Sequence, residues 1–505
     1  MTEEQYKILC ECCDFFLEGK EDAVDAMAIP WLHLLNEHPV NLNNYKLVFN
    51  DFPLPKFLVA KAVLRLIFSW LTTSNSKKGW VSSTDIPERV DVLYVSHLVS
   101  KAHIGINEDF YFGSLPDYCC ENGLSSAILL NNHIGRSLSK LNLSWPHSKI
   151  PRVVFDKILQ IKQEITLVNR LKKQSRILKA KADECTNVIQ KRFFEIASRQ
   201  ALSNHSITTL RFYLQAVKLI QVLKPKTVIT TYEGHAWERL FFAATRSVDS
   251  TIQCIGYHHT ILFPRQYALK RNLGERFDPN IVFTAGSVTK DVLKNALVGG
   301  VSKIDVESLG THRVLNHQQN SMIDGPNFNN KVCLVLPDGT IEECILIISF
   351  VVKVAKKLPF IKFIIRMHPV ISFDYVLRKN KILKNLPENI ELSKMTIAED
   401  FARARWAIYR GSSSAIYAVL AGLRPFYVSV DDELSIDPLY QLTNWKINVK
   451  NPEEFTEYLL DDIKGDKEDL LKEFDYAYEY CQNYFSSIDH SLFIKKIKES
   501  LTMHR

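Results

Sequence analysis

The 505-residue sequence lacks most of the features that would decide its class at a glance. No stretch reaches the ~20 consecutive apolar residues that a membrane-spanning helix needs. The most apolar segment, residues 57–71, contains Lys61 and Arg65 and reads as a buried or interfacial helix. Neither GxGxxG nor GxxxxGK[ST] occurs, which argues against dinucleotide and P-loop chemistry. We find no internal repeat and no low-complexity tract. Ten cysteines are scattered, and the CxxC spacing of Cys10 and Cys13 is followed by no second pair and no nearby His. Buried thiols of a reducing cytosol are the expectation, not zinc or redox chemistry. Met1 is followed by Glu3 and Glu4 rather than a basic and apolar leader, so a cytoplasmic protein is expected. A net charge of +7 is too small for this length to argue nucleic acid as a partner.

What is present is the balance of a globular protein, 46% apolar and 24% charged, in a chain long enough for two domains. Residues 1–74 have apolar positions at three- and four-residue spacing and read as helical. Short β-branched runs follow: 90–95 (VDVLYV), 126–130 (SAILL), 227–231 (TVITT), 252–257 (IQCIGY) and 281–285 (IVFTA). Helical patterns intervene, so parallel strands with crossover helices are expected. One long helix is read from Val154 onward. It belongs to the segment 152–199, whose 12 basic and 5 acidic residues carry an excess equal to that of the whole chain. Such a segment either presents a solvated basic face or touches an anionic membrane surface or acceptor.

A Gly- and Asn-rich stretch at 308–330 breaks the rhythm. We divide the chain into a first domain with helical additions (1–310), a linker (311–330) and a second domain with terminal helices (331–505). The second domain repeats the pattern, with strands at 331–336 (KVCLVL), 360–366 (FIKFIIR), 406–409 and 425–428. The expected class is therefore α/β, two Rossmann-like domains around a cleft, with ligands at the carboxyl ends of the strands.

The residues at those ends are coherent. Leu336 leads into Asp338, Gly339 and Thr340; Ile365 leads into Arg366, His368 and Pro369; Tyr409 leads into Arg410, Gly411, Ser412, Ser413 and Ser414. A glycine and three serines ahead of a helix offer N–H groups and hydroxyls to a phosphate, and Arg410 and His368 could add charge or hydrogen bonds. The bland alternatives are a helix N-cap for the serines and a turn for His368. In the first domain Glu233 follows a strand directly, with Gly234 allowing a ligand close. His258 and His259 follow the next strand. Glu233 and either His258 or His259 are the candidate acid–base groups; a cap or an ion pair with Arg239 is the alternative for Glu233. Adjacent histidines on a strand end point apart, so no metal site is expected there. Asp431, Asp432 and Glu433 read as a solvated loop.

These motifs resemble GT-B glycosyltransferases of bacterial surface-polysaccharide synthesis. The His368-Pro369 and Ser412-Ser413-Ser414 motifs are similar to those of transferases using CMP-activated sugars, of the sialyl, polysialyl and Kdo type. The resemblance implies transfer of a sugar from a nucleotide donor to a glycan or lipid-linked acceptor, with no cofactor and no metal. It implies nucleotide binding by His368, Pro369 and the three serines; Arg366, Arg410, Gly411, Gly339 and Thr340 join them as nucleotide-binding candidates by their place at the same strand ends. Tyr417 stands where many relatives carry the Glu that binds the ribose. A CDP-glycerol or CDP-ribitol phosphotransferase and a catalytically inactive glycan-binding scaffold remain open alternatives, and peripheral attachment to the cytoplasmic membrane is compatible with either reading.

Overall fold

The computed structural model describes residues 1–17, 23–34, 38–50, 79–134, 143–312 and 325–502. The apolar segment 57–71 and most of the expected linker lie outside the described residues. Two sheets organise the rest. The first holds β1 (Trp80–Ser82), β2 (Val92–Leu98), β3 (Ser126–Asn132), β4 (Arg152–Phe155), β5 (Thr227–Thr231), β6 (Gln253–His258), β7 (Ile281–Thr284) and β8 (Asp305–Ser308). Their spatial order is β1-β4-β3-β2-β5-β6-β7-β8. Only the β1–β4 pair is antiparallel.

The second sheet holds β9 (Val332–Leu336), β10 (Lys362–Ile365), β11 (Ile390–Leu392), β12 (Trp406–Tyr409), β13 (Arg424–Val428) and β14 (Ile447–Val449). It is parallel throughout, in the order β11-β10-β9-β12-β13-β14. Apart from the edge strand β1, both sheets start in the middle, grow to one edge, then cross back and grow to the other. That doubly wound order creates a crevice where the winding reverses, between β2 and β5 in one domain and between β9 and β12 in the other.

The strands are apolar because both sheet faces are covered. Leu93 and Val95 of β2 enter the core on one face, and Val92 and Tyr94 enter the core on the other. Leu334 and Leu336 of β9 divide in the same way from Cys333 and Val335. This two-residue alternation is the pleat at work.

The long helix begins later than its apolar spacing suggests. Val154 lies in β4, opposite Leu130 of β3 and Val81 of β1. The β-branched and aromatic run after Pro151 fits a pleated, buried surface better than a helix. The helices then run Ile161–Glu184 and Val188–Gln200. The N-terminal region is only partly helical. Glu3–Leu17 is one helix, and the described elements between residues 24 and 48 are helical turns of 4 residues each. Strands β1, β11 and β14, of three residues each, are too short to be legible as periodicity, and β8 (Asp305–Ser308) is mostly polar.

The carboxyl ends of the two sheets face a shared boundary. Ile261, three residues past β6, is buried in one cluster with Leu336 at the end of β9 and Tyr409 at the end of β12. The Leu262 N–H donates to the Tyr484 hydroxyl at 3.0 Å. The N-terminal segment straps the same boundary. The Met1 amino group reaches the Asp432 carbonyl, and His38 Nε2 lies 3.0 Å from Asp338 Oδ2. In the opposite direction, the helix His490–Thr502 returns to the first sheet, with Phe493, Ile494 and Ile497 in its core and Ser500 Oγ 2.7 Å from Thr227 Oγ1.

Candidate functional site

In the first domain the crevice between β2 and β5 is a cavity of about 360 Å³. Its chemistry comes from strand tips. β2 supplies His97, β3 leads to His133, and β5 leads to Glu233 and His235; His259 follows β6. Trp237 and Tyr111 contribute aromatic walls. His97 stands edge-on to both rings, 5.2 Å from Trp237 and 5.1 Å from Tyr111. Its own nitrogens are both engaged, Nδ1 with His133 Nε2 and Nε2 with Thr231 Oγ1, each at 2.8 Å. Burial and the neighbouring His133 push the His97 imidazole down to about 3, so it is neutral at physiological pH.

Glu233 takes neither the capping role nor the ion pair with Arg239. The capping carboxylate is Glu238, which accepts from the N–H groups of Glu233 and His235. Arg239 is occupied by Asp278 and by the carbonyls of Ala268 and Arg271. Glu233 instead meets His235, with Oε2 3.1 Å from Nε2. Burial by itself would raise the Glu233 carboxyl. The His235 hydrogen bond and charge, with His259 and His258 behind, outweigh it and hold the group well below the usual carboxylate range. For His235, burial acts downward, but Glu233 and Glu238 raise it to about 9. Burial pushes the capping Glu238 up to about 7. The result is a half-buried ion pair at the cavity wall, a carboxylate beside an imidazolium.

The two adjacent histidines diverge, as strand geometry requires. His259 lines the cavity, edge-on to Tyr111 at 4.8 Å. His258 is fully buried, with Nδ1 donating to the Tyr232 carbonyl at 3.0 Å. Gly234 serves the chain rather than a ligand: its φ is +81°, and an added Cβ would lie 2.3 Å from the Ala268 carbonyl oxygen. His97 and His133 escape a reading of the sequence because only the strand order places β2 between β3 and β5.

In the second domain the tips of β9, β10 and β12 converge. A Cβ on Gly339 would lie 3.1 Å from the His368 ring, and one on Gly411 would lie 3.3 Å from Asp338 Oδ2. Burial lowers the His368 imidazole, against a raising influence from Asp338. Its Nδ1 also accepts from the Val370 N–H across the turn that exposed Pro369 begins. Ser412 is buried and accepts from the Ser414 N–H at 3.3 Å, while Ser413 and Ser414 are half-exposed. Ser413 occupies the N-cap position of the short helix Ser414–Leu420 but makes no side-chain cap bond. Its hydroxyl is not consumed by the local fold. Thr340 likewise precedes the helix Ile341–Lys357 without capping it.

The two arginines are committed internally. Arg410 is buried between Glu343 and Glu433, at 3.0 and 3.1 Å. Glu433 is therefore a structural partner, unlike the exposed Asp431 and Asp432 beside it. Arg366 donates to Asp400 and to the Met395 carbonyl, both at 2.8 Å. The groups gathered at these tips are the serine and threonine hydroxyls, backbone, the His368 imidazole and the Asp338 carboxylate, which His38 also engages. Tyr417 stacks on Phe485, 5.5 Å between ring centroids. Among the described residues no cluster of His, Cys, Asp and Glu has the arrangement of a metal site.

No protein-family model matches the sequence, and no curated protein sequence matches it. Among solved structures the chain is similar to a UDP-GlcNAc 2-epimerase from Neisseria meningitidis bound to UDP-GlcNAc, at 13% identity and TM-score 0.41, over 80% of this chain and 98% of that one. It is similar to MurG of Acinetobacter baumannii at 10% identity and TM-score 0.43, over 81% and 99%. It is also similar to a trehalose 6-phosphate synthase from Burkholderia multivorans at 10% identity and TM-score 0.44, over 82% and 97%. Such identities concern fold alone. Two doubly wound sheets that meet at their carboxyl edges, with helical additions at both ends of the chain, are by their own topology the two-Rossmann arrangement of a GT-B fold.

Proposed function

We propose that this protein is a glycosyltransferase that moves a sugar from a CMP-linked donor to a hydroxyl of a glycan acceptor. What carries the reading is the chemistry of two strand-tip clusters, one in each domain. One is rich in hydroxyl and backbone donors, and the other is built around a carboxylate, histidines and aromatic rings. Aromatic walls with polar groups at their margins suit the apolar faces and hydroxyl edges of a sugar ring.

In this reading Ser412, Ser413, Ser414, Gly411, Gly339, Thr340 and His368 hold the nucleotide, with Pro369 shaping the turn. Arg366 and Arg410 hold the strand tips in place through their carboxylate partners. The acceptor oxygen bonds to the anomeric carbon as the bond from that carbon to the donor phosphate oxygen breaks. The electron pair goes to the departing CMP, and the hydroxyl proton goes to Glu233. His235 keeps Glu233 ionised, and His259 with the neutral His97 positions the acceptor. His258 acts through the backbone of Tyr232, as a positioning residue.

The test is a melting-temperature panel with CMP, CDP, UDP and GDP, since a ligand at 100 times its Kd adds about 2.7 kcal/mol to folding stability. CMP is expected to stabilise most. Glu233→Gln should then leave the CMP shift intact and slow transfer by about 10²–10⁴-fold. Stabilisation by UDP alone overturns the donor assignment. Full transfer by Glu233→Gln overturns the role of the first crevice.

A further inference from the structure

The helix Ile161–Glu184 has one face that nothing in the described fold covers. Its buried residues Leu167, Leu171, Gln174, Leu178 and Ala182 fall on one side and join the first domain. At 100° per residue, the exposed ones all fall within an arc of about 160° on the other side. That arc carries Lys162, Lys172, Lys173, Arg176 and Lys179, all exposed. Ile161, Ile165 and Ile177 stand among them, 51%, 55% and 43% exposed.

The charge on this face is unbalanced. Glu164, the one carboxylate among the first 22 residues of the helix, is turned inward against Arg211 at 2.6 Å. Arg170, at the margin, pairs with Asp25. For the five exposed cations no ion pair is found among the described residues. A solvated helix face of a globular protein ordinarily mixes both signs. The carboxylates of the arc, Asp183 and Glu184, come only at its last two positions; over the turns before them, cations interleaved with exposed isoleucines match an anionic bilayer, where lysine and arginine meet headgroups and apolar side chains enter the interface.

We infer that this face docks the protein on an anionic lipid surface. The long axis of the helix would lie in the membrane plane, over a span of about 25 Å from Lys162 to Lys179. The inference stands apart from the sugar-transfer reading but bears on it. The helix starts beside Lys157 and Ile158, which line a second cavity of about 240 Å³. Asn131 is common to that cavity and to the one holding Glu233. A docked helix therefore brings the acceptor side of the molecule to the headgroup layer, where a lipid-linked acceptor would be presented.

The experiment is co-sedimentation of the full-length protein with vesicles of phosphatidylcholine alone, or with about one-third phosphatidylserine, at ~0.1 M salt. Pelleting with the anionic vesicles only is expected, with release at ~0.5 M salt. Lys172→Glu/Lys173→Glu/Arg176→Glu should weaken binding at least tenfold. Ile165→Asp/Ile177→Asp should weaken it several-fold, and both variants should melt at the parent temperature because the sites are exposed. Failure to pellet with anionic vesicles, or binding unchanged in the charge-reversed protein, overturns the proposal. So does tighter binding to an oligonucleotide that ignores the isoleucine changes, since charge alone then accounts for the face. No sugar donor is present, so either result leaves the nucleotide panel to be judged on its own.

Discussion

His38 and Asp338, 300 positions apart, are joined by a 3.0 Å hydrogen bond from the N-terminal segment to the tip of β9. With the Met1 amino group on the Asp432 carbonyl and the Tyr6 hydroxyl on the Arg265 carbonyl, this contact ties the N-terminal segment across both domains. His38→Ala is expected to lower the unfolding free energy by about 1.5–3 kcal/mol, the usual worth of a hydrogen bond to a charged partner. Urea denaturation followed by far-UV circular dichroism reads it; an unchanged midpoint would mean the strap contributes nothing.

The Glu233–His235 pair makes stability depend on pH with a definite sign. His235, raised to about 9 in the folded protein, contributes fully below the ordinary imidazole value near ~6.5 and loses that contribution as pH rises through about 9. Glu233, held low, contributes above the ordinary carboxylate value and loses its part as pH falls below it. Melting temperature should therefore decline between about pH 6.5 and 9, and His235→Gln should flatten that decline. Parallel curves for the two proteins would contradict the pairing.

Two glycines separate site from scaffold. Gly234→Ala places a Cβ in a left-handed position against the Ala268 carbonyl, so poor expression or a strongly lowered melting temperature is expected. Gly339→Ala meets only the edge of the His368 ring. That ring can give, so the fold should persist while CMP affinity falls about tenfold, ~1.4 kcal/mol, by isothermal titration.

Asp462 is the internal anchor of the second domain. Its carboxylate accepts from Arg405, from the Trp406 indole and from Arg424, each at 2.7 Å. Asp462→Ala leaves two guanidinium groups short of their counter-charge in a largely buried place. A loss of about 3–5 kcal/mol is expected in chemical denaturation, with Arg405 contributing most.

The sheet interiors are legible in the sequence because residues such as 92–95 and 227–231 are buried on both faces and therefore run apolar or β-branched. The tips of β9, β10 and β12 are legible as polar breaks after such runs. Two things are not. Val154 reads as helical because its apolar neighbours happen to repeat every three or four positions, although β-branching favours the pleat. His97 and His133 draw no notice because their significance depends on spatial neighbours 134 and 36 positions away, Thr231 and each other. For Arg410 the opposite failing applies: a cation at a strand tip looks available, and only the fold reveals Glu343 and Glu433 around it.

The return of the helix His490–Thr502 to the first sheet has a practical corollary for dissecting the protein. A fragment ending in the linker would keep every strand of that sheet yet uncover Phe283, against which Phe493 packs. Cloning the two lobes separately would thus strand a greasy flank on one piece and an orphan amphipathic tail on the other. Mixing the pieces should restore solubility where either alone precipitates.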